Sequence, residues 1–420
     1  NPRDPIVEIS RGEAFTRVAP LGYSWVDFRT AATVPEDGPM NTPRRPHWTR
    51  PWPALLLLTL ATSAARGADL PQEIPDADRE ALAKRLDVAG DRANVWIEAI
   101  QEAPPNQREA VAFLVAHMPE PDLKTLDKEY LLKNVRLAHE AREATSWARD
   151  VPKALFFEQV LPYASINERR DDWRADFLER FLPLVKSAAT AQQAVEILNV
   201  EVFKTLNVKY HPTKRPKPDQ SPYESIEAGF ASCTGLSVLL IDACRAVGLP
   251  ARFVGTPRWT TVRGNHSWVE VFTDCWRFVG ACEPSQLDQT WFLDNASKAD
   301  ESNPVHRIYA TSYKTTGTHF PLIWERSLTW VQAVDVTRSY TKRRPVNFKR
   351  ESGQADGVIL TLRRDGAIVG HKAFDDDGEV ELDLATDLTY EVILGADDGR
   401  TVSRREVTIP SEPKPVVTLK

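Results

Sequence analysis

Cys233 ends the loop segment Ala228-Gly229-Phe230-Ala231-Ser232 and opens the apolar run Leu236-Ser237-Val238-Leu239-Leu240-Ile241. Gly248 and Pro250 stop that run, so the pattern predicts a helix from Cys233 to about Val247. A thiol in a first helical turn feels the positive end of the helix dipole, which favours thiolate, the nucleophilic form. Such a nucleophile needs a base, and the base needs a carboxylate to orient it. Downstream, Gly264-Asn265-His266-Ser267-Trp268-Val269-Glu270-Val271-Phe272 alternates as a strand. His266, Trp268, Glu270 and Phe272 share one side, and Ser267, Val269 and Val271 the other. A histidine at the mouth of a strand can lie beside a helix start. The next strand, Trp276-Arg277-Phe278-Val279, is followed closely by Glu283. Its carboxylate can accept from one imidazole nitrogen and so leave the other to face the sulfur. The developing oxyanion needs donors. The Cys233 N–H is the first candidate, and the side-chain amide of Gln220 is either the second or a loop-ordering group.

The blocks Ser232-Cys233-Thr234-Gly235, Asp242-Ala243-Cys244-Arg245-Ala246-Val247-Gly248-Leu249-Pro250-Ala251-Arg252 and His266-Ser267-Trp268-Val269-Glu270-Val271 resemble the transglutaminase-like superfamily. The resemblance spans roughly residues 160–340. It implies an α+β fold with a papain-type core, Cys233 as nucleophile, His266 as base and no cofactor. It also implies attack on an amide carbonyl through a thioester, resolved by water in a peptidase or amidase and by an amine in a transamidase. The partners are then a protein or peptide substrate and, for transfer, an amine acceptor. The family's third residue is an Asp followed by Pro, whose place here falls near Gly280-Ala281. The nearest acid is Glu283, followed by Pro284, with Asp288 as its rival. An irregular third residue is also what a catalytically inactive binding or scaffolding module would carry.

The other thiols read differently. Cys244 lies eleven residues beyond Cys233, about 16 Å along a helix at about 1.5 Å per residue, and belongs to the core. Cys275 and Cys282 can pair if a bend brings them together. The chain has no Cys-x-x-Cys spacing, which argues against zinc, and Asp375-Asp376-Asp377 reads as a solvated turn rather than a metal site.

Helical patterns precede the site. They run over Asp78 to Leu86, Ala93 to Ile100, Gln107 to Met118, Tyr130 to Trp147, Trp173 to Leu182 and Ala191 to Leu206. The proline-rich stretch His211 to Asp219 reads as a loop. After about Val346 come short strands, Val358 to Leu362, Ala367 to Val369, Val380 to Leu384 and Tyr390 to Leu394. Asp-Gly turns lie between or after them, the pattern of a small β-sandwich. The expected organisation is an upstream extension at 1–39, a signal peptide at 40–68, a helical region at 69–159, the catalytic domain at 160–345 and the β-sandwich at 346–420.

The signal reading rests on Met40, Arg44, Arg45 and Arg50, then Ala54-Leu55-Leu56-Leu57-Leu58-Thr59-Leu60-Ala61 and small residues to Ala68. That apolar run is too short for a permanent span, so a secreted or periplasmic protein without a stable membrane anchor is expected. With 53 basic and 59 acidic residues the chain has no basic footprint, which excludes nucleic acid as the expected partner. Four cysteines in 420 residues exclude a disulfide scaffold.

Overall fold

The computed structural model describes residues 71–72, 74–350, 357–396, 400–411 and 416–419. The extension expected at 1–39 and the signal peptide expected at 40–68 lie outside the described residues. The described chain has the expected α+β class, with a bundle of helices, a helix packed on an antiparallel sheet, and two further sheets. Among the described residues no helix is long and apolar enough to cross a membrane.

The first part runs through α1 (Asp76–Ala89), α2 (Ala93–Glu102), α3 (Pro105–His117), α4 (Glu120–Thr125) and α5 (Lys128–Ala144). Prolines stand at several starts, where the missing N–H would have no intrahelical partner: Pro75 before α1, Pro104 and Pro105 at α3, Pro119 and Pro121 at α4. Trp96, Ile100, Leu114, Val115, Val135 and Ala138 share one buried cluster. The helix expected through Trp147 stops at Ala144. Thr145 turns extended and its hydroxyl accepts from Ala148 N–H, starting a separate turn.

Next come α6 (Arg174–Val185), α7 (Ala191–Leu206), α8 (Pro222–Ala228) and α9 (Cys233–Ala246). Helix α6 passes the expected stop at Leu182 because Pro183 lies in its last turn, where it removes a single intrahelical bond, and Val185 is buried beyond it. Helix α8 is set by a reciprocal cap between Ser221 and Glu224, and Gly229 closes it in the left-handed region at φ 67°. The two-residue strands β1 (Lys209–Tyr210) and β2 (Phe230–Ala231) pair in parallel just before α9.

Helix α9 packs on an antiparallel sheet of order β5-β4-β3-β6-β7. Its strands are β3 (Ala251–Thr256), β4 (His266–Phe272), β5 (Trp276–Val279), β6 (Tyr309–Ser312) and β7 (Gln332–Asp335). The alternation along β4 separates two cores: Val269 and Val271 join the cluster of α9, whereas Trp268 joins Phe278, Phe292 and Tyr340.

The C-terminal part holds β8 (Arg343–Arg350), β9 (Val358–Arg364), β10 (Ala367–Ala373), β11 (Glu379–Ala385), β12 (Leu388–Ala396), β13 (Thr401–Ile409) and β14 (Val416–Leu419). They form sheets β10-β9-β12-β13 and β11-β8-β14. Phe348, Leu362, Leu382, Val392 and Leu419, drawn from both sheets, share one core.

Two buried guanidiniums bind the helical part to α9. Arg174 donates to Asn134 Oδ1 at 2.7 Å and to the carbonyls of Arg245, Val160, Leu161 and Pro162 at 2.9, 2.8, 3.2 and 3.1 Å. Arg245, on α9, donates to the carbonyls of Gln159 and Ala251, both at 3.1 Å, and of Ala164 at 2.9 Å. The carbonyls of Gln159 to Pro162 and of Ala164 belong to one buried connection, which needs these donors to be buried. Replacing Arg174 by Met therefore strands several acceptors. It should lower unfolding stability by about 3 kcal/mol or more, read from urea midpoints.

Candidate active site

Cys233 begins α9 and is its only half-exposed residue; Thr234 to Ala246 are buried. Ser232 precedes it in extended geometry, and the first intrahelical bond runs from Leu236 N–H to Ser232 C=O at 3.0 Å. The N–H groups of the first turn, that of Cys233 among them, therefore have no intrahelical acceptor. His266 begins β4. The two starts are tied together by Thr234 Oγ1 and Ser267 Oγ, 3.2 Å apart.

The Cys233 thiol meets the His266 ring and Ser267 in hydrogen-bonding contact. Burial alone would push this thiol up. The bond to His266, the imidazolium charge and the Ser267 hydroxyl and backbone outweigh burial and bring it down to about 6. By contrast burial pushes Cys244 up to about 12, which marks it as the core residue it was expected to be.

Aromatic rings enclose His266. Trp291 and Phe292 each lie at 4.9 Å, Trp268 at 5.8 Å and Trp259 at 6.1 Å between centroids. Trp268 is fully buried and donates through Nε1 to Tyr340 Oη at 2.8 Å. Nε2 of His266 is buried without a hydrogen-bond partner.

Glu283 reaches this cage through Trp291, whose Nε1 donates to Oε1 at 2.8 Å. Burial raises its carboxyl, opposed by the Trp291 bond and the His266 charge. The rival acid is committed elsewhere. Asp288 accepts from Phe278 N–H at 3.0 Å, from Arg277 at 2.9 Å and from Arg343 at 3.0 and 3.1 Å. These bonds leave Asp288 holding β5 to β8.

Gln220 lies beneath the first turn of α9, its Cβ 3.3 Å from the place a side chain on Gly235 would take. Its amide donates to the carbonyls of Phe230 at 3.0 Å and Glu224 at 3.3 Å, which uses both N–H groups to order the loop. The pairing of Cys275 with Cys282 is not formed. Both are free, Cys275 in the β-sandwich core and Cys282 against the cluster of α9.

Several residues around the site were not singled out by the sequence reading: Ser267 as a partner of Cys233, Trp259, Trp291 and Phe292 around His266, and Asn199. Trp259, Trp291 and Phe292 stand in irregular segments, where periodicity carries no signal. Asn199 does leave one, as the polar residue on a helix face otherwise made of Val195, Leu198 and Val202.

The depressed thiol sets a measurable pH course. Alkylation of Cys233 by iodoacetamide should rise with a midpoint near pH 6. In His266→Ala the midpoint should return toward the ordinary thiol value of about 8.5. Mass spectrometry locates the label, and a parent midpoint at that ordinary value would show Cys233 to be an unactivated thiol.

A sequence profile described as the Transglutaminase-like superfamily matches residues 183–286. Among solved structures the chain is similar to a protein assigned as a cysteine protease from Cytophaga hutchinsonii, at 17% identity and a TM-score of 0.26, covering 34% of this chain and 48% of that one. It is also similar to the transglutaminase of red sea bream, at 10% identity and a TM-score of 0.26, covering 58% of each chain. The chain thus spans about half to three fifths of the length of these proteins. No curated protein matches the chain. The segment that carries Cys233, His266 and Glu283 is transglutaminase-like.

Proposed function

We propose that this chain is an exported thiol enzyme that cleaves or transfers an amide acyl group through a Cys233 thioester, with His266 as acid and base and Glu283 as the orienting acid. The observation that carries the reading is the placement of a half-exposed thiol at a helix start beside the histidine that opens β4, the two starts tied by the Thr234–Ser267 bond; the lowered thiol agrees with it. The signal peptide expected at 40–68 supports action outside the cytoplasm.

The chemistry follows from the groups present. Cys233 thiolate attacks the amide carbonyl carbon, and the C=O electrons move to oxygen beside the Cys233 N–H. The C–N bond then breaks as the His266 imidazolium protonates the leaving nitrogen, which departs as ammonia or an amine. Neutral His266 next takes a proton from water or from an incoming amine. That nucleophile adds to the thioester, and the thiolate–imidazolium pair is restored. Water yields a peptidase or amidase, and a lysine yields a protein-glutamine transamidase. Water is the more available acceptor outside the cell, which favours hydrolysis.

The partnerless Nε2 favours a second reading, a transglutaminase-like binding or scaffolding module without turnover. Glutaminyl peptides separate the two, with ammonia release followed alongside incorporation of a fluorescent primary amine. An enzyme should show turnover that falls to background in Cys233→Ala and by about 10²–10⁴-fold in His266→Ala. Turnover that survives loss of Cys233 would overturn the thioester route. A parent that labels selectively at Cys233 yet never turns over any peptide would leave the module reading.

A further inference from the structure

Gly280 has no backbone reason to be glycine, since its φ lies outside the left-handed region. What occupies its side-chain space is Glu283. A methyl built on the Gly280 Cα would meet Glu283 Oε2 first, then Cδ at 2.6 Å and Cβ at 3.2 Å. The carboxylate therefore folds back three residues and fills the place where residue 280 would carry its own side chain.

The turn that brings it there is anchored from outside. Glu283 N–H donates to Gly280 C=O at 3.2 Å. Asn199, on α7 and 2% exposed, donates through Nδ2 to Gly280 C=O at 3.0 Å and to Glu283 C=O at 2.9 Å. Its Oδ1 accepts from Cys282 N–H at 3.0 Å. One buried amide thus grips the turn at three backbone points, and the turn includes Cys282 at φ 65°, a conformation disfavoured for a residue with a side chain. Trp291 holds the far end of the carboxylate by its Oε1 and lies against His266.

We propose that Gly280 and Asn199 are positioning residues that deliver the Glu283 carboxylate to the His266 side of the site. Asn199 fixes the turn, and the bare Cα of Gly280 leaves the space that the carboxylate needs. The proposal rests on the reading of Glu283 as the acid that serves His266. A methyl at 280 collides with the end of a flexible side chain, so Gly280→Ala should keep the fold and swing Glu283 out.

The test is a double-mutant cycle in the full chain, read by the pH midpoint of Cys233 alkylation with iodoacetamide. The groups that bear on that midpoint are His266 and Ser267 at the thiol, and Glu283 and Trp291 beyond the imidazole. Removing the negative charge behind His266 weakens the imidazolium and with it the thiolate. Glu283→Ala and Gly280→Ala should therefore each raise the midpoint by about one pH unit. Gly280→Ala placed in Glu283→Ala should add nothing, because the carboxyl group it displaces and the charge are gone and only Cβ, at 3.2 Å, remains. Asn199→Ala should raise the midpoint in the same direction; should it fail to fold, the Gly280 cycle decides.

A parent-like midpoint in Gly280→Ala, beside a raised one in Glu283→Ala, overturns the positioning role and leaves the acid in place. An equal shift from Gly280→Ala with Glu283 already removed overturns it too. An unchanged midpoint in Glu283→Ala removes the acid itself, and the positioning proposal falls with it.

Discussion

The structure is organised around one helix that is enclosed at every position except the first. An apolar helix buried on all sides solves its backbone bonding internally everywhere but at its ends. At the N-terminal end of α9 the unmet donors and the positive dipole are left facing the mouth of β4, and there stands a thiol. Burying Thr234 to Ala246 requires α6, α7 and α8 around the helix and the β5-β4-β3 side of the sheet beneath it. The surroundings of the helix thus fix where Cys233 comes out and what it meets.

The contact with His266 follows from register. Cys233 starts its helix and His266 starts its strand, and the Thr234–Ser267 hydrogen bond locks the two starts one residue further in. A one-residue slip of β4 would turn the imidazole to the other face and bring Ser267 to the mouth. Val269 and Val271 hold that register, since they belong to the α9 core while Trp268 belongs to the opposite one. The same alternation that builds two cores aims the imidazole of His266.

Much of this was legible. The apolar run after Cys233 with Gly248 behind it, the alternation from His266 to Phe272, and the Asp-Gly turns of the last part are local patterns, and local patterns survive into the fold. Gly248 shows why its residue matters: it sits at φ 91°, and a methyl there would lie 2.9 Å from Ala148 Cβ. What the sequence did not disclose depends on contacts between distant segments. Gln220 reads as either an oxyanion donor or a loop-ordering group, and only the fold shows its amide spent on the carbonyls of Glu224 and Phe230. Asp288 and Glu283 read alike as acids five residues apart, and their partners tell them apart, the arginines of β5 and β8 for the first and Trp291 for the second. Cys275 and Cys282 lie on either side of β5, which leads from one hydrophobic core into another. The break at Thr145 is a hydroxyl competing for the backbone within a pattern that otherwise reads as continuous helix.

Arg174 and Arg245 bear on what can be transplanted. The match to a known family covers residues 183–286, which invites treating that stretch as a module. Yet Arg245, within it, is bonded to the carbonyls of Gln159 and Ala164, and Arg174, just ahead of it, bridges Asn134 of α5 to Arg245 itself. Lifted out alone, the stretch would carry a buried guanidinium left with the Ala251 carbonyl and without those of Gln159 and Ala164, and an α9 stripped of one wall. In this chain the heritable unit of chemistry is shorter than the physical unit of folding, and recombination at the edges of the former would break the latter.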